Sequence, residues 1–219
     1  MRSRTGPRGP GVDDGFTLIE LLVAVIILGI ITVPLSNVII GFLRNTDATT
    51  GRLLASHDVQ IASAYWAQDV ASIGTHSTTT PYLLTQSVET NVAYNSSLYP
   101  CGTAGTTPTV TLAWDNFSVN PTTHAVTRTL VRVAYLVQTA SGETQLHRLR
   151  CNGSAVVVSD VSLAHDLDPT KPPAVTCATP TDCSATTVPK TVTLTLTLKD
   201  PGSPNGTYVV PLTGQRRES

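Results

Sequence analysis

Residues 15–43 read GFTLIELLVAVIILGIITVPLSNVIIGFL. From Leu21 to Leu43 this stretch holds 23 residues and no charged side chain. At about 1.5 Å per residue, a helix of that length crosses the roughly 30 Å hydrocarbon layer of a membrane. The sequence therefore predicts one membrane-spanning helix near the N-terminus.

The residues before this stretch predict its orientation. Arg2, Arg4 and Arg8 precede the apolar run, and cytoplasmic flanks carry an excess of basic residues. The residues after the helix are therefore expected outside the cytoplasm. A secretory signal peptide would have an apolar region of about 7–15 residues and a small-x-small cleavage site. The run here is longer and lacks such a site, whereas an uncleaved signal anchor stays open as an alternative.

Two residues are unusual inside an apolar helix. Glu20 lies near its start, and a carboxylate in a membrane helix costs roughly 2.5–3.5 kcal/mol and usually has a partner and a function. The alternative is that Glu20 lies in the lipid headgroup layer without a special role. Pro34 removes a backbone donor in the helix interior, which predicts a kink there.

The segment from Gly15 to Ala24 closely resembles the class III signal of type IV prepilins and type II secretion pseudopilins. In that family, prepilin peptidase cuts after the glycine and methylates the new N-terminal phenylalanine. The resemblance implies that Gly15 is the last leader residue, Phe16 the methylated N-terminus and Glu20 the membrane-buried acid. It also implies as partners the peptidase, other pilin subunits, a membrane assembly platform and, before assembly, the lipid bilayer.

After Leu43 the pattern becomes that of an amphipathic helix. Apolar residues recur at spacings of three and four, and Gly74 follows as a natural C-cap. The predicted helix spans 16–73, with its first half in the membrane and its second half packed under a sheet. This is the lollipop shape of type IV pilins, an α+β fold. The stripe consists of Ala55, Val59, Ala62, Trp66, Val70 and Ile73.

The remaining chain predicts a small antiparallel β-sheet with long loops. Alternating apolar residues indicate strands at 109–114, 129–137, 145–151, 155–163, 191–199 and 208–212. Asn152-Gly153 is a strong hairpin signal between two of them. The expected domains are a leader at 1–15, a transmembrane and assembly helix at 16–43, an amphipathic continuation at 44–74 and an extracytoplasmic β domain at 75–219.

Four cysteines, Cys101, Cys151, Cys177 and Cys183, all lie in the part expected outside the cytoplasm. An even number there favours disulfides, for which three pairings exist. The simplest pairing closes a local loop between Cys177 and Cys183 and leaves Cys101 to meet Cys151. A zinc site is the competing interpretation, but the closely spaced cysteine pairs typical of zinc sites are absent from the sequence.

Composition and motifs argue against several other functions. Without residues 1–15 the chain keeps 11 basic and 13 acidic residues, so a net charge of −2 gives no general attraction to nucleic acid. The sequence contains no common catalytic or nucleotide-binding motif, which predicts a protein that is not an enzyme and uses no cofactor. Asp166 and Asp168 could hold calcium, although a solvated turn is the simpler interpretation, and no metal site is predicted.

The prediction is a minor pilin or pseudopilin, a structural subunit of a type IV pilus or a related secretion or DNA-uptake filament. The size and the order of elements resemble the larger minor pilins, which points to a PilW-like or J-type subunit. Its expected location is the cytoplasmic (inner) membrane, with a single span, and afterwards a filament at the cell surface. Two alternatives stay open: an adhesin-like module that presents the Pro-rich loop 164–190 at a tip, and an uncleaved single-pass surface protein or enzyme.

Overall fold

The computed structural model describes residues 17–200 and 206–217. The chain divides into two compact units after Asp47. The elements in chain order are α1 (Leu18–Ser72), β1 (Thr75–His76), β2 (Leu84–Thr85), β3 (Val88–Thr90), a 3-10 helix (Tyr94–Ser96), β4 (Val110–Val119), β5 (Val126–Ala140), β6 (Glu143–Asn152), β7 (Val157–Ala164), β8 (Ala174–Ala178), β9 (Thr191–Lys199) and β10 (Thr207–Gln215).

The first unit consists, in its described part, of the N-terminal portion of α1. All of its residues from Thr17 to Asp47 are exposed, and they include the apolar stretch that ends at Leu43. Helix α1 continues as an α-helix through Pro34 and into the second unit. The predicted helix of residues 16–73 agrees closely with this element, although residue 16 lies outside the described part of the chain.

The described part of the second unit contains ten strands, and every pair of these strands is antiparallel. They form a five-stranded sheet in the order β3-β4-β5-β6-β7, a three-stranded sheet in the order β10-β9-β8 and a two-stranded ribbon of β1 and β2. The α+β class, with a long N-terminal helix packed on antiparallel strands, is confirmed. The expectation of one sheet is corrected, because β8, β9 and β10 form a sheet of their own.

The main core lies where α1 meets both larger sheets. Trp66 is fully buried there and donates from Nε1 to the carbonyl oxygen of Val192 on β9 at 3.2 Å. Its ring also packs edge-on against Tyr135 of β5, with the ring centroids 5.0 Å apart. One helix side chain therefore contacts both sheets. The predicted stripe is confirmed, since Ala62, Trp66, Val70 and Ile73 are buried and Val59 packs against the same cluster.

Strand β10 comes unusually close to α1 at Gly214. A Cβ atom at this position would lie 2.5 Å from Cβ of Val70 and 2.9 Å from both of its Cγ atoms. Real side chains do not approach so closely, so the contact between helix and strand requires a residue without a side chain.

A second apolar cluster covers the opposite face of the five-stranded sheet. Cys101 comes from the loop between the 3-10 helix and β4, and it packs with Ala134, Leu136, Leu149 and Cys151. These sheet residues alternate with those that face the main core, as the pleat of a strand requires. Residues of the loop therefore form an outer layer over β5 and β6.

The structure contains several short elements that sequence periodicity missed. Strands β1, β2 and β3 lie between the end of the predicted helix at 73 and the first predicted strand at 109, and β8 lies inside the expected loop 164–190. Strands β5 and β6 also extend beyond their predicted ends to a turn at Ser141 and Gly142. Both turn residues have positive φ, the backbone pattern of a type I′ hairpin.

Two turn predictions are revised by the backbone geometry. The hairpin predicted at Asn152-Gly153 does join β6 to β7, but Asn152 is the last residue of β6 and β7 begins only at Val157, so residues 153–156 form the connection. Gly74 follows the helix, but its N–H donates to Ala113 on β4 at 3.1 Å, and its carbonyl accepts from Asp115 at 3.1 Å. Gly74 therefore begins a pairing with β4 instead of capping the helix.

Candidate functional site

The start of α1 is held by a capping arrangement that the sequence analysis did not identify. Thr17 immediately precedes the helix, and Glu20 is its third residue. The Glu20 N–H donates to the Thr17 carbonyl oxygen at 3.0 Å and has a weaker contact with Oγ1 at 3.4 Å. The order Thr-x-x-Glu is that of a capping box, so it was readable from the sequence. Gly15 and Phe16, the predicted processing residues, lie outside the described part of the chain.

The segment from Leu18 to Leu43 presents an apolar surface on all sides. Eighteen large apolar side chains between these residues are exposed, and none of the segment is buried. Among the described residues, α1 is the one helix that is long and apolar enough to cross a membrane. A surface of this kind is typical of a segment that other apolar groups cover.

The hydroxyl groups in this segment are compatible with an apolar environment. Thr32 donates from Oγ1 to the carbonyl oxygen of Leu28 at 2.9 Å, and Ser36 donates to that of Thr32 at 2.8 Å. Each hydroxyl is thus satisfied by its own helix one turn earlier. The helix is uninterrupted at Pro34, and the predicted kink at this residue stays a prediction.

In the second unit, a buried ion pair joins α1 to the five-stranded sheet. Asp69 is 1% exposed, and its carboxylate accepts two hydrogen bonds of 2.7 Å from Nε and Nη2 of Arg148 on β6. Tyr135 donates its hydroxyl to the same carboxylate at 2.6 Å. The guanidinium of Arg148 also lies over the ring of Tyr65, 4.8 Å from the ring centroid. Four side chains from one helix and two strands are therefore coupled.

The electrostatics of this cluster follow from its burial. Burial raises the pKa of the Tyr135 hydroxyl well above its usual value, and the negative charge of Asp69 adds to the effect. For Arg148, burial lowers the pKa, but hydrogen bonds and attraction from Asp69 outweigh it and the pKa is raised overall. Tyr135 therefore stays a neutral donor, and Arg148 stays charged.

The cysteines form the two disulfides that the sequence argument favoured. Cys101 bonds to Cys151 across 50 residues, and Cys177 bonds to Cys183 across six. The first disulfide joins the outer loop to β6 and is almost completely buried. The second closes a loop next to the edge strand β8, and its sulfurs belong to the main core cluster.

The other sequence candidates are not brought together as a metal site. Asp168 accepts from the N–H and hydroxyl of Thr170, at 2.9 and 2.7 Å, in a local turn. Within residues 17–200 and 206–217, no group of three or more His, Cys, Asp and Glu side chains could hold a metal ion. Asp166 has a left-handed backbone conformation, and its carbonyl accepts from the Lys199 N–H at 2.9 Å.

The loop expected to present an adhesive surface, 164–190, is largely integrated into the fold. It contains β8, the Cys177–Cys183 disulfide and the buried residues Leu167 and Val188. The adhesin-like alternative, which assigns binding to this loop, stays a prediction. Sequence analysis missed the buried ion pair of Asp69 and Arg148. A carboxylate inside a helix gives no sign of a partner that lies far away in the sequence.

Comparison with known families identifies the N-terminal segment. Residues 13–36 match the family model described as the prokaryotic N-terminal methylation motif. A search of curated proteins finds no match to the chain. The matched range includes Gly15, Phe16, Glu20 and Pro34, and it extends well into the exposed part of α1.

The motif indicates what the apolar helix does. The helix and the motif together fit a single-pass membrane anchor, and the motif implies processing by prepilin peptidase and assembly with other pilins. The match at residues 13–36 supports a type IV prepilin-like class III signal, and with it a type IV pilin-like substrate of prepilin peptidase.

Proposed function

We propose that the chain is a minor pilin or pseudopilin, a structural and non-enzymatic subunit of a type IV pilus or a related secretion or DNA-uptake filament. Within that family we place it with the larger, PilW-like or J-type minor subunits. The placement is supported by its 219 residues and by the order of a long helix followed by antiparallel hairpins.

One observation carries the proposal: the methylation motif opens a helix whose first 26 residues, 18–43, bury nothing in the isolated chain. Eighteen large apolar side chains of this segment are exposed in the isolated chain. Full burial of one such side chain away from water lowers the free energy by roughly 1.5–3 kcal/mol. Lipid covers them while the subunit is in the membrane. A bundle of like helices covers them equally well after the subunit has left it.

The proposed sequence of events follows from these two environments. The chain inserts with its leader in the cytoplasm, and the peptidase cuts after Gly15 and methylates the amine of Phe16. A membrane assembly platform then moves the subunit into the filament. Lipid and neighbouring helices are both apolar. During the transfer, contacts with lipid are therefore replaced by contacts with other helices, and the helix is not exposed to water.

The processing step is tested by replacing Gly15 with leucine. Because the peptidase of this family cuts after glycine, Gly15→Leu should leave a membrane-bound precursor that is 15 residues heavier than the mature chain. The matched control is Gly11→Leu, which changes another leader glycine away from the cut. Intact-mass measurement of the wild type should find Phe16 at the N-terminus, carrying one methyl group.

The same measurement distinguishes the alternatives. An uncleaved single-pass surface protein would keep residues 1–15 in the wild type, and this result would contradict the proposal. A subunit that is processed but never recovered with sheared filaments would contradict the filament role alone. Loss of the leader in the Gly15→Leu variant would show that the cut lies elsewhere.

A further inference from the structure

Strands β4 and β5 extend beyond the rest of their sheet. Between 116–119 and 126–129 the described residues pair only with each other, and we call this pair of segments the arm. Its register places Phe117 opposite Arg128 and Val119 opposite Val126 on one face. The other face carries only small polar side chains. The arm therefore has one apolar face, which is exposed.

A pocket lies at the base of the arm. It has a volume of about 340 Å³ and is lined by His76, Ser77, Tyr82, Phe117 and Arg128. Small-molecule sites have this size and combine aromatic side chains with a few fixed polar groups. Tyr82 and Phe117 are 66% and 55% exposed, so their rings form open walls and not a closed cavity.

The two basic residues of the pocket are held by one buried carboxylate. The Asp115 side chain is 1% exposed and accepts from Nε of Arg128 at 2.7 Å. It also accepts from the backbone N–H of His76 at 2.8 Å and lies 3.1 Å from Nδ1 of its ring. Arg128 donates further from Nη2 to the His76 carbonyl oxygen. Both side chains are therefore fixed before any ligand arrives.

This arrangement leaves two groups of different kinds for a ligand. A carboxylate can only accept, so Nδ1 of His76 carries a proton, and Nε2 is the ring nitrogen left to form a hydrogen bond with a ligand hydroxyl. Nη1 of Arg128 takes no part in the hydrogen bonds recorded among the described residues, so its N–H groups are available. A ligand that uses both groups offers an acceptor for Arg128, which bonds most strongly to a carboxylate, and a hydroxyl for Nε2 of His76.

We propose that this pocket binds an acidic sugar, with its carboxylate on Arg128, a hydroxyl on Nε2 of His76 and its ring against Tyr82 and Phe117. The C–H groups of a sugar ring are slightly positive and suit the negative face of an aromatic ring. The sugar's other hydroxyls stay in water, which matches the high exposure of both rings. The main chain of a peptide C-terminus offers a carboxylate but no hydroxyl for Nε2 of His76, and an apolar side chain would bury little surface between these open walls.

The test uses the full chain in detergent micelles and isothermal titration with two trisaccharides. Trigalacturonate carries the carboxylates, and neutral galactotriose is the matched sugar without them. Trigalacturonate should bind. The affinity of the neutral sugar should be lower by at least about tenfold, because hydrogen bonds to charged groups are worth about 1.5–3 kcal/mol. A short peptide with a free C-terminus serves as the third ligand.

Variants locate the site. Tyr82→Ala and Phe117→Ala should each weaken trigalacturonate binding by roughly three- to tenfold. Val126→Ala removes an exposed apolar side chain from the same face of the arm but outside the pocket, and it should leave binding unchanged. Arg128→Lys keeps the charge but not the planar fork, and we expect about a tenfold loss.

Four results would overturn the proposal. These are no binding of trigalacturonate, equal binding of the two trisaccharides, binding of the peptide in preference to the sugar, and binding that neither Tyr82→Ala nor Phe117→Ala weakens. The last result remains decisive if Arg128→Lys fails to fold, because Tyr82 and Phe117 are exposed and support no core.

Discussion

Glu20 is the only carboxylate between Asp14 and Asp47, and it occupies the first turn of α1. Its backbone N–H completes the cap with Thr17, while its side chain is exposed. An acidic group in the first turn also favours the helix through the dipole of the backbone. Capping and charge are thus combined in one residue, and a substitution can separate them.

We predict that Glu20→Gln separates processing from assembly. Glutamine suits the same position of a capping box, so the helix should begin as before and cleavage and insertion should be normal. After cleavage, the charged amine of Phe16 would lack the carboxylate that offsets it in an apolar filament core. The variant should therefore be several times scarcer in sheared filaments, as measured by quantitative mass spectrometry.

The control is Asp47→Asn, which removes a carboxylate from the same helix beyond the apolar segment. It should enter filaments at the wild-type level. Equal recovery of Glu20→Gln and wild type would show that the Glu20 charge has no part in assembly.

Asp69, another carboxylate of α1, is buried and forms an ion pair with Arg148. Asp69→Asn leaves the buried Arg148 guanidinium without the negative charge that pairs with it, because an amide oxygen and the neutral Tyr135 hydroxyl carry none. We expect Asp69→Asn to lower the free energy of unfolding by about 3–5 kcal/mol. Urea unfolding, followed by the fluorescence of Trp66 and Trp114, measures the change.

The comparison variant is Asp160→Asn, which breaks the ion pair between Asp160 and His147. The Asp160 side chain is 47% exposed. Exposed pairs contribute at most about 1 kcal/mol, so this variant should be close to wild type. If both variants lose the same stability, the Asp69–Arg148 pair has no special contribution.

At the scale of elements, the contact between α1 and β10 depends on Gly214. We predict that Gly214→Ala forces the strand away from Val70 and lowers the free energy of unfolding by roughly 1–3 kcal/mol, the usual cost of overpacking. Gln215→Ala, at the next and exposed position of β10, should change stability by less than about 0.5 kcal/mol. Equal unfolding midpoints of Gly214→Ala and wild type would show that β10 adjusts without cost.

The elements that sequence periodicity identified are those with local signals. The helix stripe around Trp66 repeats every three or four residues, and β9 alternates buried Leu194 and Leu196 with half-buried threonines. The short strands β1, β2 and β3 have two or three residues each, too few for a period to show. Their existence depends on partners elsewhere in the chain.

The same distinction applies to the candidate sites. Residues of the processing signal are contiguous, so a short motif was enough to find them. The pocket of His76, Tyr82 and Arg128 joins residues more than 50 positions apart, and its buried carboxylate, Asp115, lies in a strand like any other. Contacts of this range follow from the topology of the sheets, which periodicity does not specify.

At the scale of the whole molecule, the two disulfides constrain the chain to different extents. Cys101–Cys151 closes a loop of 50 residues and attaches the outer layer to the five-stranded sheet. Cys177–Cys183 closes a loop of six residues. Chain entropy alone assigns about 4 kcal/mol of stabilisation to the first and about 2 kcal/mol to the second.

We therefore predict an order of stability among paired variants. Replacing Cys101 and Cys151 together with alanine should lower the melting temperature more than replacing Cys177 and Cys183 together, because the longer loop gains more freedom in the unfolded chain. Differential scanning fluorimetry of the full chain in detergent, without reductant, measures both. Strong reductant should bring the wild type to or below the less stable variant. The reverse order would mean that the short disulfide stabilises the native core around β8 itself, and that unfolded-state entropy does not control the stability of the second unit.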